Sequence, residues 1–335
     1  MRVKTLEISS SRWNEFLKGD SQAGFYHLWQ WQEINNQIFG SGSKSLVVGD
    51  GRYQGVLPLV LKRGLFKKRL MTPLSDWAGP LGSEAIKTRL VHEAFSLSQR
   101  LGADLEVLSG SNIKNLPKNL HQTSDYGYFI LETDKDYREI FQKKFHKKTR
   151  NMVRKAEKEG VVVKAEPMED LDDFYRLYLQ TMRKLGAIPL PKSFFIQVKE
   201  RLGEYGRMVT ATYQGRPIGY LLVFFWRKTA WVWANATDEE YLSLGVNYAL
   251  WAKAIQLVCQ DKKIVEFDFG SSKKGSSQEF FKLRWGPKPK PIYCISSKPD
   301  VIQERQEKLG RLASFLKHLP LPVYQYIGEL AYRLY

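Results

Sequence analysis

The sequence predicts an α+β protein in which one mixed-sheet domain is used twice. Two hairpin-like segments, over residues 46–63 and 209–228, each carry a turn of the form GRxxG. A helix pattern precedes each hairpin, and a helical stretch and a strand that ends at glycine follow it. This shared order of elements indicates internal duplication, and 335 residues are enough to form two cores of ordinary size.

The first half begins with an amphipathic helix over residues 11–20. The hairpin over 46–63 has Gly51 and Gly55 in its turn and alternating apolar residues in its second strand, the period of a half-buried strand. A helical stretch after the hairpin leads to a further strand over 103–110, which completes the first copy of the pattern.

The second half repeats this order. Its hairpin, over 209–228, has two turn glycines, and a strand follows over 263–270. The segment after that strand, 286–293, is too rich in proline for a regular helix. The helix that precedes the hairpin, over 169–182, places five apolar side chains at helical spacing: Leu171, Phe174, Tyr175, Tyr178 and Leu179.

A boundary between the halves is expected near residues 135–150. Residues 300–319 have a helical pattern, and the final piece is apolar and aromatic. We expect this tail to pack back on the first half. The predicted first domain is therefore 1–140 together with 300–335, and the predicted second domain is 141–299.

The charge balance predicts an anionic partner. The net charge is +17, from 52 lysine and arginine residues against 35 acidic ones. Nucleic acid, a phosphorylated substrate or acidic lipid headgroups could each be this anionic partner. With 43% hydrophobic and 13% aromatic residues, the composition excludes a disordered chain.

The compartment is expected to be cytoplasmic, with peripheral contact at the inner face of the cell membrane left open. The N-terminus lacks the apolar core of a signal peptide, and no long apolar run is present. Cys259 and Cys294 have no zinc-site spacing, so we expect two buried thiols in a reducing compartment and no metal.

Residues 145–160, FHKKTRNMVRKAEKEG, predict a strongly basic helix. The cations that share one side are Lys147, Arg150, Arg154 and Lys158, at spacings of three and four residues. Like charges at that spacing repel, so an anionic partner would stabilise the helix. The phosphates of tRNA, of a pyrophosphate-linked lipid or of coenzyme A all fit, and the alternative is an ordinary solvated surface.

The segment 62–70, KRGLFKKRL, is a second basic candidate surface. Its cations flank Leu65 and Phe66. Basic and apolar residues together suit docking to an anionic membrane surface, and they equally suit a tRNA backbone.

A family resemblance rests on three features. They are the pattern K-K-x-R-N-x-x-R-K-A-x-K-x-G-V over 147–161, the stretch FDFGSSKKGSSQEFFKLRWGPKP over 267–289, and the duplication itself. Together they resemble the Fem-type (FemABX-like) aminoacyltransferases that build peptidoglycan cross-bridges, within the broader FemAB-related acyltransferases. The resemblance implies tandem GNAT-like domains, with mixed sheets flanked by helices, and the absence of heptads indicates the kind without a coiled-coil arm.

The resemblance also implies an activity. Fem-type enzymes take an amino acid from aminoacyl-tRNA and join it to an amine of a peptidoglycan precursor, which is lipid-linked or nucleotide-linked. No cofactor is expected, because the tRNA itself carries the activated ester. Members that bind muropeptides have a lysine shortly after the tryptophan that corresponds to Trp31, and this chain has Asn35 there. Trp31 and Asn35 are therefore candidates for acceptor binding.

The candidate catalytic residues lie in the second half. Resembling enzymes place a Phe-Lys pair where this chain has Phe281 and Lys282, and a cation there would stabilise the oxyanion formed from the ester carbonyl. The alternatives are a surface lysine and an ordinary core phenylalanine. Glu266 and Asp268 share one face of their predicted strand, so Asp268 is a candidate proton acceptor, with salt bridges to nearby lysines as the alternative.

Two other classes of function compete with aminoacyl transfer. An acyl-CoA-dependent N- or O-acyltransferase of a sugar or exopolysaccharide would cradle the CoA pyrophosphate in a glycine-rich loop at a helix start. The matching loop, 241–249, has Gly245 but no convincing R/QxxGxG/A pattern, and Tyr241 in it is a substrate-binding candidate. The charge and the many aromatic residues also suit a non-catalytic RNA-binding module, although no recognised RNA motif is visible.

Overall fold

The computed structural model describes residues 8–39, 42–64, 67–169, 171–299, 310 and 312–334. Its contacts divide the chain into two compact units. Unit 1 comprises Met1–Tyr126, Pro291–Lys308 and Glu329–Tyr335, and unit 2 comprises Gly127–Lys290 and Leu309–Gly328.

Among its described residues, unit 1 contains three complete α-helices, a three-stranded sheet and a second group of four paired strands. The helices are α1 (Ser10–Gly19), α2 (Trp29–Phe39) and α3 (Glu84–Leu101). One sheet has the order β1-β2-β5, with β1 (Leu46–Asp50), β2 (Arg52–Leu57) and β5 (Leu81–Gly82). The other has the order β3-β4-β6-β13, with β3 (Val60–Arg63), β4 (Lys68–Met71), β6 (Ala103–Ser109) and the later residues of β13 (Lys288–Ser296).

The first predicted hairpin forms, but its second strand is split. β1 and β2 pair antiparallel around Gly51, whose φ of +76° is the left-handed conformation that such a turn requires. The strand then breaks at Pro58, which has no N–H to give to a ladder. The chain resumes as β3 in the other sheet, so one apolar run in the sequence serves two sheets.

Unit 2 is built on the strand order β7-β12-β11-β10-β9-β8. The strands are β7 (His121–Glu132, from Gly127 onward), β8 (Val162–Glu166), β9 (Gly206–Tyr213), β10 (Arg216–Trp226), β11 (Thr229–Thr237) and β12 (Glu266–Lys273). The helices are α4 (Tyr137–Lys143), α5 (Lys147–Lys158), α6 (Asp172–Leu185), α7 (Lys192–Leu202), α8 (Val246–Gln260), α9 (Ser277–Leu283) and the part of α10 (Leu321–Leu334) up to Gly328.

The core of unit 2 confirms the apolar patterns of the second half. The second hairpin forms as β9 and β10. The five apolar residues predicted to line α6 are all buried. Helix α8 packs its buried side on the sheet, where it meets Phe267 and Phe269 of β12. The strand predicted over 263–270 runs three residues later, from Glu266 to Lys273, because a turn at 261–264 occupies its start.

The C-terminal tail divides between the units differently from the prediction. Residues 300–309 and 311 lie outside the described residues, and 312–316 are helical. The contacts assign Leu309–Gly328 to unit 2, not to the first half. There the Tyr324 hydroxyl donates to the Ala187 carbonyl at 2.5 Å, and Ala313 packs against Gly186. The contacts also place the boundary at residues 126/127, earlier than expected.

The helix lengths agree with the predicted absence of a coiled-coil arm. Among the described residues the longest helix is α3, with 18 residues. In that same part of the chain no helix combines the length and apolar character needed to cross a membrane. The architecture is α+β, with helices around mixed sheets, as the sequence predicts.

Candidate active site

The position of Lys282 is set by the way helix α9 begins. The Ser276 hydroxyl accepts a hydrogen bond from the Glu279 N–H at 3.2 Å, and the Glu279 carboxylate accepts one from the Gly275 N–H at 2.5 Å. Serine followed three residues later by glutamate is the sequence signature of such a start. The cap fixes the rotation of the helix, and α9 packs against β12.

Lys282 is buried, with 9% of its surface exposed. Its Nζ donates to the Ser271 carbonyl oxygen at 2.7 Å and lies 5.6 Å from the centre of the Phe129 ring. The carbonyl and the negative face of the ring both favour the charged ammonium. Lys282 is therefore a cation held at a defined place, and the alternative of an ordinary surface lysine is wrong.

Asp268 lies on the neighbouring strand β12 and is 1% exposed. Its Oδ1 accepts the Gly270 N–H at 2.8 Å, and Gly270 has a φ of +72°. Because Gly270 has a left-handed backbone, the regular alternation of side chains along β12 ends there. The next residue, Ser271, supplies the carbonyl that accepts from Lys282. Glu266 instead forms a salt bridge, the alternative that the sequence left open: its carboxylate lies 3.7 Å from the Lys228 Nζ and accepts from the Thr229 hydroxyl at 2.8 Å.

Tyr128 is a site residue that no sequence pattern indicates. Burial, and to a smaller extent the carboxylates of Asp268 and Glu266, raise the pKa of Tyr128 to about 12. The phenol therefore keeps its proton at neutral pH. Only the sheet order, which sets β7 beside β12, could have indicated that Tyr128 and Asp268 are close.

Phe281 lies in an aromatic cluster beneath α9. Its ring is 5.4 Å from Tyr248, 5.6 Å from Trp251 and 6.1 Å from Trp285, measured between ring centres. This is the packing role that the sequence left as the alternative for Phe281. The preceding residue, Phe280, is 56% exposed on the same helix, two residues from Lys282.

Helix α5 carries the predicted cationic stripe. Lys147, Arg154 and Lys158 are exposed, whereas Thr149 and Ala156 are buried on its other side. His146 is exposed and caps the helix by accepting the Lys148 N–H on its Nδ1 at 3.2 Å. The first turn contains no acidic residue, so the lysines add to the positive end of the helix dipole. This end of the helix favours an anion.

The two arginines of the stripe differ in their environment. Arg150 is half-buried, and its guanidinium donates to the carbonyls of Gln142 and Phe145. Arg154 is exposed, with its guanidinium 5.4 Å from the centre of the Phe141 ring. Arg150 therefore ties α4 to α5, and Arg154 is the arginine that solvent or an anionic ligand can reach.

The start of α5 is fixed to the chain that follows α9. The Arg284 carbonyl accepts the His146 N–H at 2.8 Å and the Thr149 hydroxyl at 3.2 Å. The rings of Phe145 and Trp285 meet at 4.9 Å. Arg284 is two residues after Lys282, so their Cα atoms are at most ~8 Å apart. The start of α5 therefore lies near the backbone of Lys282 in unit 2.

The loop that would hold a CoA pyrophosphate is packed against α5. Gly245 precedes α8 with a φ of +83°, and a β-carbon there would come 2.9 Å from the Met152 carbonyl oxygen. The Lys155 Nζ donates to the Ser243 carbonyl at 2.8 Å. Tyr241, in the same loop, is half-buried, and its ring centre lies 5.8 Å from that of Tyr213.

Trp31 and Asn35 lie in unit 1 and are both fully buried. The Trp31 indole N–H donates to the Leu74 carbonyl at 2.7 Å. The Asn35 amide donates to the Trp31 carbonyl at 2.8 Å and accepts the Leu74 N–H at 2.7 Å. These bonds to backbone groups give both residues a structural role in which they hold the segment at Leu74.

Three further expectations from the sequence concern the basic segment 62–70, the two cysteines and metal binding. Leu65 and Phe66 lie outside the described residues. Cys294 is buried and Cys259 half-buried, and both are free thiols, with burial raising the pKa of Cys259 to about 11. Among the described residues no group of histidine, cysteine or acidic side chains could hold a metal ion.

Comparison with known proteins supports an acyltransferase domain around this site. Residues 143–282 match the family model described as an acetyltransferase (GNAT) domain. That range begins just before α5 and ends at Lys282, so it contains most of the site described above. A search of curated proteins finds no significant match.

Solved structures show the same fold over nearly the whole chain. FemX matches with a TM-score of 0.66 and 15% identity, covering 96% of this chain and 99% of its own. L-PGS from Bacillus licheniformis matches with a TM-score of 0.57 and 12% identity, over 94% and 99%. A tandem GNAT protein from the clavulanic acid biosynthesis pathway matches with a TM-score of 0.53 and 12% identity, over 86% and 96%.

Proposed function

We propose, from a chain that has the fold of FemX and a GNAT acyltransferase domain over residues 143–282, that this protein is an aminoacyltransferase. It moves an amino acid from aminoacyl-tRNA to an amine of a peptidoglycan precursor. The observation that carries the proposal is the buried ammonium of Lys282, held beside the strand end of β12 and in the same region as the cationic helix α5.

Lys282 would act on the ester carbonyl of the donor. Attack by the acceptor amine turns the carbonyl oxygen into an oxyanion, and a positive charge already in place stabilises that oxyanion without reorganisation. Because Lys282 is buried, water screens its charge little. The ammonium thus favours the transition state more than the ground state, which is the condition for catalysis.

The reaction balances with groups of the two substrates. The amine nitrogen forms a bond to the carbonyl carbon, the bond from that carbon to the ribose oxygen of tRNA breaks, and the proton lost by the amine passes to the leaving oxygen. Asp268 is our candidate to relay that proton, because its carboxylate is buried and lies three residues before Ser271, whose carbonyl accepts a hydrogen bond from Lys282. The Tyr128 hydroxyl, whose raised pKa keeps it protonated, is a neutral group near the Asp268 carboxylate.

The donor would bind through its phosphates at α5. Lys147, Arg154 and Lys158 are exposed, and the positive end of the helix dipole adds to Lys147 at the start of α5. Phe280, exposed on α9, could stack on the terminal base of the tRNA, since every base offers an aromatic face.

The packing of the α8 loop favours tRNA over CoA as the donor. In the CoA-dependent alternative, backbone N–H groups around Gly245 would cradle the pyrophosphate. The Met152 carbonyl oxygen of α5 lies 2.9 Å from the position that a β-carbon of residue 245 would take, so α5 occupies the space directly beside this glycine.

A transfer assay tests the proposal. The purified full chain would be incubated with a mixture of radiolabelled aminoacyl-tRNAs, and separately with acetyl-CoA, each with lipid-linked and nucleotide-linked peptidoglycan precursors. The proposal expects label in the precursor from the charged tRNA only. Transfer from acetyl-CoA would establish the CoA-dependent reading, and stoichiometric tRNA binding without transfer would establish a binding module; either result would overturn the proposal.

A further inference from the structure

The C-terminal segment of unit 2, residues 310–328, has one buried and one exposed apolar side. Leu316 and Tyr324 are buried, at 1% and 0% exposure. On the exposed side, Phe315 and Tyr326 are 59% and 60% exposed, the highest values for large apolar side chains among the described residues. Leu312 and Val323 are exposed as well, at 39% and 47%.

The segment is fixed to unit 2, so its exposed side is part of the folded surface. The Arg183 guanidinium donates to the Leu319 carbonyl at 3.1 Å. Gly328 packs so closely on Pro189 that a β-carbon would come within 2.7 Å of it. Leu185, 54% exposed, lies one residue before the Gly186 that contacts Ala313, and it extends the apolar surface onto the neighbouring turn.

The charge around this surface is mainly positive, although Glu329 directly follows the segment and the exposed Glu239 lies beside Lys184. The sequence has no Asp or Glu in residues 310–328, and none in residues 174–199, which include the turn that holds this segment. Lys317 and His318 are exposed between the two apolar pairs. Lys184 is exposed too, although Glu239 pairs with it at 2.8 Å.

We propose that this surface docks the protein on a membrane that carries anionic lipid headgroups. The docking surface consists of five apolar side chains with the cations around them: Leu185, Leu312, Phe315, Val323 and Tyr326. Aromatic and aliphatic side chains enter the headgroup boundary, while cations meet the lipid phosphates. The inference is independent of the reaction proposed for Lys282.

The length of the segment argues against a membrane-spanning role. Helix α10 has 14 residues, whereas a membrane-spanning helix needs about 20, so the proposal places the segment along the membrane surface.

A vesicle sedimentation assay tests this proposal on the full chain. The vesicles are phosphatidylcholine alone, or phosphatidylcholine and phosphatidylglycerol in equal parts. We expect binding to the anionic vesicles, weak binding to the neutral ones, and a loss of about tenfold or more in the partition constant for the double variant Phe315→Ser, Tyr326→Ser, equivalent to ~1.4 kcal/mol. Both side chains point into solvent, so the variant keeps its fold by circular dichroism.

Val162→Ser is the matched control. Val162 is 55% exposed on β8, away from the docking surface in the sequence, and its replacement should leave vesicle binding unchanged. Lys317→Glu should weaken binding to anionic vesicles only. Equal loss in the Val162→Ser control, unchanged binding in the double variant, or a dimer in light scattering that the double variant abolishes would each overturn the proposal.

Discussion

Replacing Lys282 by methionine removes the charge and keeps most of the side-chain volume. An ion pair at ~4 Å in a medium with an effective dielectric constant of about 20 is worth ~4 kcal/mol, which corresponds to roughly 10³ in rate. Lys282 is 9% exposed, so a dielectric constant of about 20 applies to its charge better than the value for water. Removal of one oxyanion donor in other enzymes costs about 10²–10³ in kcat. We therefore expect kcat to fall by about 10²–10³ in Lys282→Met.

The assay is transfer from charged tRNA under single-turnover conditions, so that chemistry is separated from product release. The KM for the tRNA should change little, because Lys282 acts on the transition state. The variant leaves the Ser271 carbonyl without its 2.7 Å donor, at a cost of about 1–3 kcal/mol in stability, so unfolding is measured alongside.

Lys262→Met is the matched control, since Lys262 is an exposed lysine at the end of α8 in the same unit. It should keep full activity. A folded Lys282→Met protein with the wild-type rate would refute the catalytic role of this ammonium.

Three further predictions concern binding and stability. Neutralising Lys147 and Arg154 to alanine should weaken tRNA binding and reduce the slope of log affinity against log salt by about 2, while Lys262→Ala leaves the slope unchanged. Asn35→Ala should lower the free energy of unfolding by about 2 kcal/mol, because two buried backbone groups lose their partner, with no change in KM of the folded enzyme; a specific rise in acceptor KM would contradict the structural role. Burial lowers the pKa of His27 from 6.5 to about 4, so the unfolded chain takes up a proton between these values and the folded chain does not. Stability should therefore fall by about 2 kcal/mol between pH 7 and pH 5 in urea unfolding, and His27→Gln should remove that part of the dependence.

The elements near the site could be predicted because their signals are local. The cationic stripe of α5 is visible as residues spaced three and four apart in the sequence. Ser276 followed by Glu279 is a local signal for the start of α9. The resemblance to Fem-type enzymes singles out Lys282, which the structure shows to be buried, and its catalytic role stays a prediction. In each case the residues that determine the structure are neighbours along the chain.

The features that sequence reasoning missed depend on distant contacts. The sequence makes Asn35 a polar candidate for ligand binding. In the structure its amide donates to the Trp31 carbonyl and accepts the N–H of Leu74, which lies 39 residues later. The tail over 309–328 is apolar in sequence, and its contacts with residues 183–189, which are distant along the chain, assign it to unit 2. Tyr128 becomes a site residue only because β7 lies beside β12 in the sheet.

The most direct test of the catalytic claim is a crystal structure with an aminoacyl-tRNA analogue whose 3′ ester is replaced by an amide. The account predicts that the aminoacyl carbonyl oxygen lies within about 2.7–3.1 Å of the Lys282 Nζ, the range expected of an oxyanion donor. A bound analogue whose carbonyl oxygen contacts other groups, with the Lys282 Nζ out of hydrogen-bond reach of it, would contradict the account.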